Sequence, residues 1–324
     1  MTYDDRFDRL TKATVARALE AGAKHVVVVD NGSSHRTQDL IRTSYDEERK
    51  VTVVLMDENT GSAAGFSVGI QAALARTPAY IWLLDDDNWV EPDALTSLLA
   101  ARDSAAYLFD DELTSVCGFR DLDNAHQRLA QGVPVALAYP PAGSFMFFDL
   151  LTFLRRQLHK RGESSLELTC IPEAPYGGFL FPAGLVQEIG LPPEELFLYA
   201  DDTVWTSRSV RRGHRIVLDR KTKIHDADGK WARESGAGPI GLLDSTHMTK
   251  LYFSARNRVI FERSRITSGK NEFRYWLNKK IYFGAAQVAS RLRNCRDSFE
   301  TFRHAVRDGE AGRLDSPRRL RIET

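Results

Sequence analysis

Four consecutive valines, Val26–Val29, closed by Asp30, limit what this chain can fold into more than any other feature. A strand wet on one face alternates apolar and polar residues, whereas an unbroken β-branched run belongs to a strand covered on both faces. The pattern returns at Val51–Met56 and at Tyr80–Leu84. Helical stretches intervene: Leu10–Ala23, Thr37–Tyr45, the small-residue-rich Ser62–Arg76, and one that Glu91, Pro92 and Asp93 open. Strands alternating with helices predict an α/β fold, Rossmann-like, with a mostly parallel, doubly wound sheet. At 324 residues and 43% hydrophobic content the chain can bury one large core plus a helical appendage. In such sheets ligands bind at the carboxyl ends of the strands, so the polar residues that close each strand carry most weight.

The middle of the chain, about 107–168, contains the proline-rich turn around Pro140 and Pro141 and reads as antiparallel strands and loops. From Tyr252 onward the pattern is helical and basic. Residues 255–324 hold 17 Lys/Arg against 8 Asp/Glu, although the whole chain is formally neutral. This predicts an acidic body over 1–250, parted at about 105 into 1–105 and 106–250, followed by a basic helical region over 251–324. Cys117, Cys170 and Cys295 lie far apart without CxxC spacing, which argues against a zinc site or a disulfide framework and suits a reducing cytoplasm. No apolar run reaches the roughly 18 residues needed to cross a bilayer, and the start lacks a signal-peptide pattern. Zero net charge and the lack of a recognised motif weigh against a nucleic-acid partner.

The sharpest chemical signal is Asp85, Asp86 and Asp87, directly after an apolar strand. Three adjacent carboxylates repel one another unless a cation gathers them, and such hard oxygen ligands suit Mn²⁺ or Mg²⁺ with diphosphate oxygens completing the shell. A solvated acidic turn capping the next helix reads the same way. Asp201 and Asp202 form a second pair, placed for general-base work or for an ordinary helix N-cap. His225, between Ile224 and Asp226, is a third candidate only through its position after the two acidic sites. Asn59, Gly61, Gly65 and Gly69 at the start of a helix allow close approach of a phosphate, or simply tight packing of helix on sheet.

Together these residues resemble family 2 glycosyltransferases of the GT-A type, in the branch of rhamnosyl- and galactofuranosyltransferases. The resemblance runs in order over about 1–260: Thr2, Tyr3 and Arg6; Asp30, Asn31 and Gly32; Glu58, Asn59 and Gly61; Asp85–Asp87; Gly177 and Gly178; Asp201 and Asp202; His225; Arg256 and Asn257. It implies an inverting enzyme that takes a UDP- or dTDP-linked sugar as donor and a glycan or lipid-linked acceptor, in cell-surface polysaccharide assembly. By the same resemblance Thr2, Tyr3, Asp30 and Asn31 are base and ribose contacts, with Asn59 and Gly61 on the donor side. Asp85, Asp87 and His225 are metal ligands, Asp86 a ribose or sugar contact, Asp201 the base and Asp202 its helper. Gly177 and Gly178 admit the acceptor, and Trp205 and Trp231 stack on sugar rings unless they are core.

The chain departs from the pattern in three places. The family's first strand normally precedes the Thr2-Tyr3 segment, and without it a weaker base pocket is expected; Ser62 and Ala64 stand where glycine is frequent, and Val204 where an acid is. In the tail, Lys279, Lys280, Arg291, Arg293 and Arg296 with Trp276, Tyr282 and Phe283 fit peripheral contact with the inner face of a membrane, and equally a homo-oligomer interface or a solvated hairpin. A nucleotidyltransferase of similar fold, or a non-catalytic glycan-assembly or binding protein, would share some of these features. The first usually opens with a Gly-rich, Lys-containing loop that is missing after the valine strand, and the second would not retain every acid.

Overall fold

The computed structural model describes residues 1–159, 162, 166–228, 241–244 and 247–315. The valine run forms β1 (Val26–Asp30), and β2 (Val51–Leu55) pairs with it in parallel, Val26 opposite Val51 through Asp30 opposite Leu55. A π-turn at Phe7–Thr11 leads into α1 (Lys12–Glu20), and Phe7, Val15, Val28 and Ile41 make the core of this corner. Helix α2 (His35–Tyr45) starts where the Ser34 hydroxyl accepts the Thr37 N–H, and α3 (Gly61–Leu74) follows β2. Thr2 bridges to Asp30 in the parallel sense.

A second, six-stranded sheet holds β3 (Tyr80–Leu83), β4 (Asn88–Val90), β5 (Ser115–Arg120), β6 (Leu168–Cys170), β7 (Phe179–Pro182) and β8 (Ile216–Asp226). Its order is β3-β7-β5-β8-β4, with β6 beside β8. The α/β architecture expected from the sequence is present, but the sheet is mixed. β5 and β8 run parallel, whereas β7, β4 and β6 run antiparallel to the strands they meet. An apolar run cannot reveal this, because a strand covered on both faces reads the same whichever way its neighbour points. Helix α4 (Ala94–Phe109) covers the sheet, with Leu98 against Val116 and Leu180 in its core.

The strands and loops expected over 107–168 are a correction. Apart from β5, that stretch makes α5 (Asn124–Ala130), α6 (Val135–Ala138) and α7 (Leu150–Leu158). Asp123 accepts the N–H groups of Ala125 and His126, and Asp149 that of Thr152, so two aspartates start helices that the neighbouring prolines obscure in the sequence. Two short helices, α8 (Leu185–Ile189) and α9 (Asp201–Arg211), complete this part of the chain.

The chain divides into two compact units. The first comprises Met1–Gln127, Ser165–Phe197 and Asp201–Asp228, and contains both sheets. The second comprises Arg128–Ser164, Leu198–Ala200 and Gly229–Thr324, so it takes in a middle segment besides the tail. Its helices α10 (Met248–Ser264), α11 (Gly269–Leu292) and α12 (Arg296–Glu310) bury Phe145 among Tyr275, Tyr282, Phe283 and Phe302, with ring centroids 5.4–6.5 Å away. Tyr282 is therefore core, and Phe283 also packs on Phe299, so neither is the interfacial ring expected from the sequence. Glu262 forms a buried pair with Arg258 and accepts the N–H groups of Met146 and Phe147, both in the left-handed region. Those bonds offset the cost of two non-glycine residues at positive φ.

Candidate active site

Strand β3 delivers Asp85, Asp86 and Asp87 to a tight loop before β4. Asn88 shapes the loop: its Oδ1 accepts the Asp85 N–H at 2.9 Å and its Nδ2 donates to Asp226 at 3.0 Å. Two guanidiniums serve the acids. Arg6 grips Asp86 through Nε and Nη2, both at 2.7 Å, and reaches Asp87 at 3.3 Å and Asp228 at 3.1 Å. Arg120 pairs tightly with Asp226 and contacts Asp85 at 3.4 Å. Both guanidiniums are held more firmly protonated, Arg6 first by its hydrogen bond to Asp86, and Arg120, despite burial, by Asp85 and Asp226.

Compensation is incomplete. Burial raises Asp85 against the pull of Arg120. Burial, followed by repulsion from Asp85 and Asp86, raises Asp87 to about 6. With its side chain 17% exposed, Asp87 is a partly buried anion short of positive charge. Gly177 lies against this cluster: a Cβ there would sit 2.3 Å from Asn88 Oδ1 and 2.6 Å from Asp85 Oδ2. Gly178, at φ +90°, donates to the Leu83 carbonyl and accepts from Gly118.

His225 does not join Asp85 and Asp87. On β8 side chains alternate, so Asp226 points with Asn88 into the acid cluster while His225 pairs with Trp89. Its ring is 45% exposed and faces Glu91, 3.9 Å from Nε2. Among the described residues no three of His, Cys, Asp and Glu are grouped to hold a metal. His225 thus stands apart from Asp85 and Asp87, whereas Asp226 lies with them.

The second acidic pair opens α9. Asp201 is 3% exposed and accepts the Ser62 hydroxyl at 3.0 Å. Burial first, then the neighbouring charge of Asp202, raises its proton affinity well above that of an ordinary carboxylate, while the Ser62 bond pulls the other way. Asp202 is raised by burial and also feels Asp85 and Arg120, which ties the two acidic sites together. The buried Tyr176 hydroxyl is held protonated by burial and by Asp201. Ser62, marked in the sequence only as a departure, is thus a direct partner of the candidate base. Arg120 was missed because one arginine ending a strand carries no local signal.

The remaining candidates divide into scaffold and core. Asp30 is fully buried and accepts from the Ser33 N–H and hydroxyl and from Gln38. Asn31 donates to Asn59 Oδ1 and the Gly61 carbonyl and accepts from the Thr60 N–H. These side chains lock the end of β1 to the start of α3. Asn59 also accepts the Gly61 N–H, and a Cβ at Gly61, φ +83°, would lie 2.0 Å from the Phe197 carbonyl oxygen. Thr2 is buried, its hydroxyl accepting from Thr11, and Tyr3 beside it is half-buried. Trp205 is 0% exposed, donates to the Gly190 carbonyl and packs on Tyr176, Phe179 and Phe181. It is core rather than a sugar platform. Trp231 lies outside the described residues.

Residues 5–157 match the profile of glycosyl transferase family 2. Galactofuranosyltransferase GlfT1 of Mycobacterium tuberculosis is 30% identical over 218 residues, covering 64% of this chain and 62% of its own length. The chain thus spans somewhat less than two thirds of that relative. Succinoglycan biosynthesis protein ExoU of Rhizobium meliloti is 26% identical over 264 residues, 81% of this chain and 68% of its own. Among solved structures, mannosyltransferase PcManGT from Pyrobaculum calidifontis, in complex with GDP-Man and Mn²⁺, superposes with a TM-score of 0.50 at 14% identity, covering 97% of this chain and 85% of its own.

Proposed function

We propose that this chain, of α/β GT-A fold and with residues 5–157 matching glycosyl transferase family 2, moves a sugar from a nucleotide-diphosphate donor to a hydroxyl of a glycan or lipid-linked acceptor, with inversion. The observation that carries the reading is Asp201: a buried carboxylate of raised proton affinity, next to Asp202, which in turn feels the acid loop. Such a group accepts a proton from an attacking hydroxyl near neutral pH. The hydroxyl oxygen then forms its bond to the anomeric carbon as the bond to the diphosphate breaks. A single displacement needs one base and inverts configuration, and Asp202 is suited to orient the acceptor.

Asp85 and Asp87 fit a divalent cation. Both are hard oxygen donors whose negative charge the two arginines leave partly uncompensated, and one or two carboxylates plus donor phosphates are an ordinary set for such ions. A bound ion would supply neutralisation of the leaving diphosphate. Asp86, held by Arg6, positions the loop. The names of the relatives favour a galactofuranosyl donor in polysaccharide assembly.

Calorimetry with a panel of UDP-, dTDP- and GDP-sugars, with and without Mn²⁺, tests the proposal. Wild type is expected to bind one donor at least about tenfold more tightly with the ion, and Asp87→Asn to lose that gain. Failure of every nucleotide sugar to bind would overturn it.

A further inference from the structure

One face of α11 has no role in the proposed chemistry. Its inner face, with Tyr275, Asn278, Tyr282, Ala286 and Ala289, is buried. Its outer face carries Phe273, Trp276, Leu277, Ile281, Val288 and Leu292 at spacings of three, four and seven, and all six are exposed, Trp276 at 48% and Leu292 at 82%. A surface helix of a globular protein normally turns polar residues to water there. Between Phe273 and Arg293 the sequence has five basic residues and neither Asp nor Glu. Two of the five, Lys280 and Arg291, share the exposed face, and the Lys280 ammonium lies 4.0 Å above the Trp276 ring.

The face is rigid. Asp149, which caps α7, takes a bidentate grip from Arg274 and a bond from Asn278, both on α11. Although burial opposes it, these donors hold Asp149 down to about 2. Helix α7 has the same chemistry: Leu151, Leu154 and Leu158 are exposed, and the helix carries two arginines and no acid.

We propose that the outer face of α11, with α7 fastened beside it, docks on an anionic lipid surface. Charge complementarity selects this occupant: Arg274 and Lys279 are paired with Asp149 and Glu310, but on the outer face rings and aliphatic groups interleave with the basic heads of Lys280 and Arg291, a match for phosphate headgroups above acyl chains. A lysine stem lying along an indole lets the ammonium reach the headgroups while the ring sits at their base. From Phe273 to Leu292 the helix presents about 28 Å of such surface, enough to lie flat on a bilayer. No helix among the described residues is long and apolar enough to cross one. The inference is independent of the glycosyl-transfer reading.

Co-sedimentation of the full chain with phosphatidylcholine vesicles, with and without phosphatidylglycerol, at low and high salt, tests it. Binding is expected only with phosphatidylglycerol, at least about tenfold stronger than to phosphatidylcholine alone, and weakened by salt. Trp276→Glu combined with Leu277→Glu is expected to reduce it by about tenfold or more with an unchanged Tm, since both side chains are solvent-exposed. Equal binding of the double variant, equal binding to both vesicle types, or no binding to the anionic vesicles would overturn the proposal. So would a solution dimer that the same substitutions dissolve, because a second copy would then cover the face.

Discussion

The acid loop and the start of α9 both crowd carboxylates, but they answer the repulsion differently. Around Asp85–Asp87, guanidiniums answer it: Arg6 and Arg120 each bridge two or more acids. At Asp201 the partner is a hydroxyl, that of Ser62, and no cation pairs with it among the described residues. Carboxylates gathered beside fixed positive charge suit electrostatic binding, even where burial still raises them as at Asp85 and Asp87. One buried beside another acid, with only a neutral hydroxyl as partner, gains proton affinity and suits proton transfer. In the proposed mechanism the loop does the electrostatic work and the helix the acid–base work.

The largest expected effect breaks the second half of that contrast. Asp201→Asn should lower kcat by about a thousandfold while leaving donor affinity within about twofold, measured by steady-state kinetics and calorimetry. A comparable loss of donor binding would show that Asp201 belongs with the loop. Next comes Arg120→Met, which leaves Asp226 without its buried cation; a loss of about 3 kcal/mol is expected in urea unfolding. Little change there would mean that the guanidinium is not what holds the cluster.

Asp87 gives an effect of opposite sign. Its carboxyl is raised from 3.8 to about 6, so the folded state holds a proton that the unfolded chain releases. The resulting destabilisation is absent below pH 4, grows between pH 4 and 6, and is complete above. Without divalent ions Asp87→Asn should therefore gain about 2 kcal/mol at pH 7 and nothing near pH 4, followed by thermal unfolding across pH. The smallest effects form a pair. Ser62→Ala removes a donor that favours the Asp201 carboxylate, so the acid limb of kcat/KM moves to higher pH, with about a threefold to fivefold loss on that limb. Asp202→Asn removes a charge that raises Asp201, so the limb moves to lower pH. Shifts in the same direction would sink the base assignment.

The α/β alternation, both acidic pairs and the helical tail were legible because each rests on local pattern. Valine runs report burial on two faces, and adjacent aspartates report a charge problem in need of an answer. What answered it was not legible. Arg120 and Asp226 lie 106 positions apart, and Ser62 and Asp201 are 139 apart. Order in the chain marks His225, and strand alternation puts its neighbour Asp226 beside Asn88. Trp205 looked the same in sequence as a stacking platform, and burial among Tyr176, Phe179 and Phe181 decided otherwise. The α11 rings were visible as a basic aromatic segment, and only packing separated Tyr282, inside, from Trp276, outside.

By itself the sequence determined which segments become strands and helices and where acids accumulate, since periodicity and like-charge repulsion act between near neighbours. Tertiary structure alone decided which acid receives a guanidinium, which a hydroxyl and which neither, because those partners come from distant segments. Proton affinity in a buried site depends on such partners rather than on the residue that bears the proton.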